Sequence, residues 1–351
     1  MKKLTISFIL LLTTLLTALP LSAQAEEGNV GFSAHAILPD NQVNKEVTYF
    51  DLRMEPNQKQ IIQVEVINNS SEETTFDVNV NQATTNESGF IDYEKTDSMF
   101  DESLKYPIDE IVTYEKEVTV PAKTAQMVDI EIAMPAEKYD GEILAGIQVL
   151  KDPNRGEDTT GQITNLFAYL IALRLTESDV KVPRELQLDN VSGQVAFGKS
   201  AIVAQVINPT MTSIKKMNYE GVVYQKGKKD STTEKFAYVD KEMSMAPNSI
   251  YDFAIDLGEK AMKSGDYVLE LQVSDGEDNV WNFTEEFTVT AEEAKAINKI
   301  VIPGSTDKGL PGWVAVVAGA FLGILVLGLI LLYSKKRNRK VSVTSNEEEL
   351  A

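Results

Sequence analysis

The 351-residue chain has no cysteine and a single histidine, His35. Without cysteine it can form no disulfide, no thiolate metal site and no cysteine nucleophile. A Ser-His-Asp arrangement would have to use His35, and no G-x-S-x-G elbow supplies its serine. The plainer reading of His35 is a partly exposed strand residue. Histidine-rich metal sites are ruled out in the same way. Proline is sparse, 12 in all, and 43% of the residues are hydrophobic, so the composition is that of a folded chain rather than a disordered one. Basic charge is also short. Against 53 Asp and Glu stand 33 Lys and Arg, a net charge of −20. That sign argues against nucleic acid as a partner, since phosphate binding needs the opposite charge. It repels anionic wall polymers and attracts a basic protein patch, although plain acidic solubility explains the balance equally well.

Long apolar runs stand out at the two ends. Lys2 and Lys3 precede an apolar run from Leu4 to Leu16, and Ala23-Gln24-Ala25 fits a secretory cleavage site with the cut after Ala25. The run is shorter than the ~20 residues that a bilayer-spanning helix needs. Near the other end, Gly312 to Tyr333 carries no charge and is long enough to cross a membrane as a helix. Trp313 and Tyr333 sit at its ends, and Lys335, Lys336, Arg337, Arg339 and Lys340 follow, which places the tail in the cytoplasm. Leu310-Pro311-Gly312 lacks the threonine and spacing of a sortase signal, so the span reads as a permanent anchor. Ala315, Gly319 and Gly323 form a small-xxx-small series of the kind that lets two membrane helices approach, but glycine is common in such helices anyway. An exported chain without cysteine, with a short Lys-Lys signal, suggests a bacterium with one membrane.

Between the ends the pattern is strand after strand. Ile62, Val64 and Val66 share one face, as do Phe76, Val78 and Val80, with Asn68 to Glu73 as a turn-forming loop between them. Val128, Ile130, Ile132 and Met134 repeat the alternation. "GEILAGIQVL" and "FAYLIALRL" are continuously apolar and predict central strands covered on both faces. Glu177 to Val191 reads as a polar boundary. Beyond it, Ala201–Ile207, Tyr219–Tyr224, Tyr251–Leu257, Tyr267–Val273 and "VWNFTEEFTVT" predict further strands, with Asp275-Gly276 as a hairpin turn. "AEEAKAINKI" has helical composition. The fold class expected is all-β, two tandem Ig-like β-sandwich domains followed by a short stalk, one transmembrane helix and a basic cytoplasmic tail.

Signals for chemistry are weak. "DGEDN" at Asp275–Asn279 could offer oxygen ligands to calcium, but lacks the EF-hand spacing and is accounted for by its turn. "GEILAG" at Gly141–Gly146 lacks the Gly-Lys-Ser/Thr ending of a phosphate loop. A glycosidase needs only two carboxylates, and among 53 a pair is not excluded; acids scattered over solvent faces are the plainer reading. No cofactor is expected.

Four stretches carry a resemblance. "PDNQ" at Pro39–Gln42, "YFDLRMEPNQKQ" at Tyr49–Gln60, "ATTNESGFIDY" at Ala83–Tyr93 and "PAEKYDGEILAGI" at Pro135–Ile147 together resemble the WxL-interacting protein family of Gram-positive bacteria. Residues 26–180 look like that family's peptidoglycan-binding domain. Residues 181–300, with "MAPNSIYDFAIDLG" and "KSGDYVLELQV", look like its host-binding domain. A stalk (301–311), a span (312–333) and a tail (334–351) complete the family's order, after a signal peptide at 1–25. The resemblance implies a non-enzymatic adaptor on the cell membrane, its ectodomain facing the wall. It implies binding to peptidoglycan, WxL-domain surface proteins and host extracellular proteins. Peptidoglycan offers N-acetyl and peptide amides, so the loops holding Asn41, Gln42, Thr85 and Asn86 are the expected ligand surface; the competing reading is that these residues cap turns. The second function carried forward is a cell-wall hydrolase using a carboxylate pair.

Overall fold

The computed structural model describes residues 30–94, 100–152, 155, 166–230, 235–258 and 260–300. The expected signal peptide, stalk, membrane span and tail lie outside these. Among the described residues no helix is long and apolar enough to cross a membrane. By its contacts the chain divides into a larger compact unit (Met1–Ser192, Val203–Ile255, Asp266–Phe287) and a smaller one (Gly193–Ile202, Asp256–Gly265, Thr288–Ala351).

The first strands are β1 (Phe32–Ile37), β2 (Phe50–Arg53), β3 (Lys59–Asn68), β4 (Thr74–Gln82), β5 (Thr84–Thr85) and β6 (Ile91–Asp92). A one-turn helix, α1 (Ile108–Ile111), precedes β7 (Val112–Tyr114), β8 (Glu117–Val120), β9 (Ala125–Ala133), β10 (Glu142–Lys151) and β11 (Phe167–Thr176). They form two main sheets, ordered β1-β3-β9-β7 and β2-β11-β10-β4-β8, with β5 and β6 pairing separately. The alternation read from the sequence is the reason these sheets stack. Ile62, Val64 and Val66 of β3 and Val128, Ile130 and Ile132 of β9 are buried from one sheet. Phe76, Val78 and Val80 of β4 with Ile147 and Val149 of β10 are buried from the other, and all join a single core. Each such side chain contributes about 1.5–3 kcal/mol on burial.

β10 is covered on both faces, as expected for a central strand. β11 is not. Its residues Phe167 to Leu170 are exposed, because β2 is four residues long and pairs only with Leu173–Thr176. The expectation of full cover for "FAYLIALRL" is therefore corrected to its second half.

The second set is β12 (Gln187–Ala196), β13 (Lys199–Asn208), β14 (Ile214–Gln225), β15 (Lys235–Met245), β16 (Ser249–Asp256), β17 (Gly265–Ser274) and β18 (Val280–Val289). These form sheets ordered β12-β13-β16 and β15-β14-β17-β18. The polar stretch read as a boundary ends inside β12, and β15 carries too little alternation to have been read. Asp275-Gly276 does open a hairpin between β17 and β18. Its loop is longer than two residues, and the left-handed backbone falls on Asp278 (φ 65°) instead.

In the smaller unit, α2 (Ala291–Ile300) starts with a capping box: Glu293 N–H donates to Thr290 Oγ1 (3.1 Å) and Thr290 N–H to Glu293 Oε2 (2.8 Å). Asn298 on this helix exchanges two hydrogen bonds with the backbone of Met262.

One corner occurs twice. Asn68, at the end of β3, is fully buried; its Nδ2 donates to Glu72 O (2.7 Å) and Val120 O (2.9 Å), and its Oδ1 accepts from Ser70 N–H and Oγ. Asn208, at the end of β13, does the same with Thr212 O (2.9 Å), Ala246 O (2.8 Å) and Thr210. "VEVINNSS" and "AQVINPT" are thus the same device, a buried amide tying a strand end to its loop and to a neighbouring segment.

Candidate functional site

The four residues singled out from the sequence all spend their polar groups internally. Asn41 Nδ2 donates to Arg53 O and to Gln60 Oε1, both at 2.9 Å, and Gln60 Nε2 returns a bond to Asn41 Oδ1. Gln42 is buried; its Nε2 donates to Asn44 O (3.0 Å) and Tyr49 O (2.8 Å), and its Oε1 accepts from Asp51 N–H. Thr85 is buried as well. It accepts from Ala246 N–H (3.0 Å) and meets Ser249 Oγ at 2.6 Å. Asn86 Oδ1 closes the β5–β6 turn by accepting from Ser88 and Phe90 N–H, while its Nδ2 donates to Asp92. Asn41 and Gln42 share one turn, while Thr85 ends β5 and Asn86 opens the turn that follows it.

A different group of residues meets around Arg174, which the sequence did not bring forward. β11 carries Arg174 between β2 and β10, and the parallel register sets it directly against Asp51. Its Nη1 donates to Asp51 Oδ1 (2.9 Å) and its Nε to Glu142 Oε2 (2.5 Å). Both carboxylates are buried, while the Arg174 side chain is 35% exposed. Glu142 Oε1 accepts from Ser213 N–H (2.8 Å). Burial would raise this carboxyl, but the bonds from Arg174 and Ser213 outweigh it and hold Glu142 below the usual range.

Around Arg174 lies a cleft of about 530 Å³ lined by Tyr49, Tyr93, Leu144, Ala172, Arg184 and Lys215, among others. A smaller one of about 270 Å³, toward Arg53 and Asp179, shares Glu142, Arg174 and Arg184. Tyr93 sits over β10 because residue 146 is glycine: a Cβ there would lie 2.3 Å from Tyr93 Cβ. Its backbone is held by Asn81 Nδ2 (3.0 Å). Burial, then the nearby Glu142 and Tyr49, push the Tyr93 hydroxyl up to about 12, so it stays a protonated donor. Arg184 is neutralised by Asp275 (2.7 Å) and Glu277 (3.2 Å). Among the described residues Lys215 has no ion pair. The lining is thus nearly charge-balanced, with tyrosine rings and fixed polar groups. It suits a neutral, amide- and hydroxyl-rich ligand better than a strongly charged one.

Both carboxylates of the cleft, Asp51 and Glu142, are engaged by Arg174. A general acid needs a raised pKa, whereas Glu142 is lowered. Among the described residues the carboxyl that burial does raise is Glu177, whose Oε1 is buried without a partner there, and it lines neither cleft. His35 lies exposed on β1, opposite Glu65. Asp275 of "DGEDN" is taken up by Arg184, Asn279 and the turn N–H groups of Glu277 and Asn279. Among the described residues no cluster of three or more His, Cys, Asp or Glu is placed to hold a metal ion.

Comparison with known families decides the affiliation. The model of the WxL Interacting Protein peptidoglycan binding domain matches residues 32–151, and that of the WxL Interacting Protein host binding domain matches residues 158–299. The chain belongs to the WxL-interacting protein family. The family's two domains occur in the order expected from the sequence. β11 falls within the host-binding match, yet it pairs with β10 and β2 of the peptidoglycan-binding domain. The cleft accordingly draws residues from both matches. No curated protein matches the chain. Among solved structures it is similar to a chaperone–tip adhesin complex of CFA/I fimbriae biogenesis (12% identity, 73% of this chain and 97% of that chain, TM-score 0.30). It is similar also to the YadV chaperone (12%, 73% and 100%, TM-score 0.29). A third is a chain of the CsuC–CsuE pre-assembly complex of Acinetobacter baumannii (12%, 65% and 91%, TM-score 0.30).

Proposed function

We propose that the chain is a non-enzymatic cell-surface adaptor that binds peptidoglycan, holds WxL-domain proteins at the wall and contacts host proteins. The observation that carries this reading is the pair of family matches, a wall-binding domain followed by a host-binding domain, spanning residues 32–299. In this proposal the signal peptide is removed after Ala25. Gly312 to Tyr333 anchors the chain by one pass, with the two sandwich domains outside and the basic tail in the cytoplasm.

The Arg174 cleft is the proposed wall-binding surface. Tyr49 and Tyr93 offer ring faces to sugars, and the Tyr93 hydroxyl, Thr212 and Lys215 offer donors for N-acetyl and peptide carbonyls. This replaces the Asn41, Gln42, Thr85 and Asn86 surface as the first choice, because those groups already have partners.

The test is co-sedimentation of the full-length chain with insoluble peptidoglycan. Wild type is expected to pellet, and Tyr49→Ala with Lys215→Ala is expected to weaken pelleting at least tenfold without moving the unfolding midpoint. If the double variant pelleted like wild type, the cleft would not be the wall-binding surface. Release of soluble muropeptides during the incubation would sink the non-enzymatic reading.

A further inference from the structure

We propose that the outer edge of β11, from Leu166 to Ala172, is a docking edge that accepts an extended, basic segment of a partner protein as an added strand.

On one side β11 pairs along its whole length with β10, from Phe167↔Lys151 to Thr176↔Glu142. On the other side β2 covers only Leu173–Thr176. Over Phe167–Ala172 no described residue bonds to that flank, so alternate backbone N–H and C=O groups face outward as a template for another strand. Natural edges are usually guarded by charge, proline, glycine bulges or a short length. Leu166-Phe-Ala-Tyr-Leu-Ile-Ala172 has no such guard: seven uncharged residues of high strand propensity. Leu166 is 55% exposed, Phe167 40%, Tyr169 36% and Leu170 43%. A run of this kind left bare is an aggregation hazard unless something covers it.

The side chains show what an added strand would gain. Phe167 and Tyr169 share the parity of the buried Ile171, Leu173 and Leu175, so they belong to the core-facing side although they are exposed. Tyr169 meets buried Phe32 edge-on at 5.0 Å, and Phe32 lies 4.8 Å from buried Phe76. The core therefore continues to this open flank. A strand paired there would lay its inward side chains on Phe167 and Tyr169 and close it. That is strand addition, with backbone bonds giving affinity and alternate side chains giving specificity.

Charge selects the occupant. A second copy would bring another acidic chain, −20 over its full sequence, and like net charge opposes that pairing. A segment with apolar residues at alternate positions and Lys or Arg between them is attracted instead. The proposal is separate from wall binding: Ala172 alone belongs to both, the cleft otherwise using side chains on the outer face of this sheet and the edge using backbone and the core-facing Phe167 and Tyr169.

Three synthetic ten-residue peptides test it against the full-length chain, read by amide hydrogen exchange. One alternates Val and Lys, the second has its central Val replaced by Pro, and the third has Glu in place of Lys. The Val/Lys peptide is expected to slow exchange across residues 166–172 at least tenfold, and the other two to leave it unchanged. Phe167→Lys with Leu170→Lys is expected to remove the protection while exchange across β10 stays as in wild type. No slowing by the Val/Lys peptide, or equal slowing by the Pro or Glu peptide, would overturn the proposal. So would a chain that sediments as a dimer with residues 166–172 already protected, which would make a second copy the occupant.

Discussion

Thr85 Oγ1 and Ser249 Oγ lie 2.6 Å apart in buried positions, although 164 residues separate them in the chain. Ser249 donates to Ala246 O (2.8 Å), which leaves Thr85 as the donor to Ser249, and Ala246 N–H in turn donates to Thr85. The three residues close a ring in which every polar group has a partner. Thr85→Val keeps the outline but orphans Ala246 N–H, a loss of about 1–3 kcal/mol. Thr85→Ser retains the hydroxyl and should lose less. Urea unfolding of the full-length chain measures both. A Thr85→Val chain as stable as wild type would show that the ring contributes nothing.

The repeated asparagine corner makes a paired prediction. Asn68→Ala and Asn208→Ala each remove two amide bonds to backbone carbonyls, although Glu72 O and Ala246 O keep a second donor in Ser70 Oγ and Ser249 Oγ. Each should cost about 1–3 kcal/mol, since a buried tie between a strand end, its loop and a neighbouring segment is lost. Asp in place of Asn should be worse still, because it brings a buried charge and no donor. If Asn68→Ala were destabilising and Asn208→Ala neutral, the two corners would share geometry without sharing a role.

Much of the fold was legible because one-sided burial writes period-2 alternation into the sequence. Ile62, Val64 and Val66, or Tyr251, Phe253 and Ile255, are read at sight and are buried as read. β11 misled because an apolar run looks the same whether its edge is covered or open. What covers it is the length of β2, a tertiary fact. The site was less legible. Residue types that bind amides also cap turns, so Gln42 and Thr85 looked available when they are not. Arg174 gave no signal, because Asp51 and Glu142 reach it only through the pairing of three strands distant in sequence. The repeated V-I-N in front of Asn-Ser or Pro-Thr was an overlooked cue that the sequence did contain.

Arg174 sets a pH dependence through Glu142. The folded carboxyl is held below its unfolded value, so its contribution to stability is present above about pH 4.5 and is lost as pH falls through the folded value. Arg174→Met removes the bonds but leaves the burial, which favours the protonated form. At pH 7 this variant should lose about 3 kcal/mol, the low end for breaking a buried pair because Arg174 is partly exposed. Toward pH 4 the difference from wild type should shrink. Unfolding midpoints at pH 7 and pH 4 provide the check, and a gap that widened on acidification would mean that Glu142 is not the group responsible.

Phe197 is disfavoured on two counts. It joins β12 to β13 with Gly198 in a two-residue turn whose backbone is left-handed at both positions, φ 51° and 74°, and the residue is 69% exposed. Turns of this shape favour Asn-Gly, since a bulky side chain in the left-handed region costs ~1–2 kcal/mol. Phe197→Asn should therefore stabilise the chain by about 1 kcal/mol. The same variant separates strain from purpose. If it gains stability and still pellets with peptidoglycan, the ring has no part in wall binding. If it gains stability but stops pelleting, the strained turn holds the phenylalanine out as a contact, and the wall-binding surface extends beyond the Arg174 cleft. A variant no more stable than wild type would mean that the left-handed turn carries no strain to relieve.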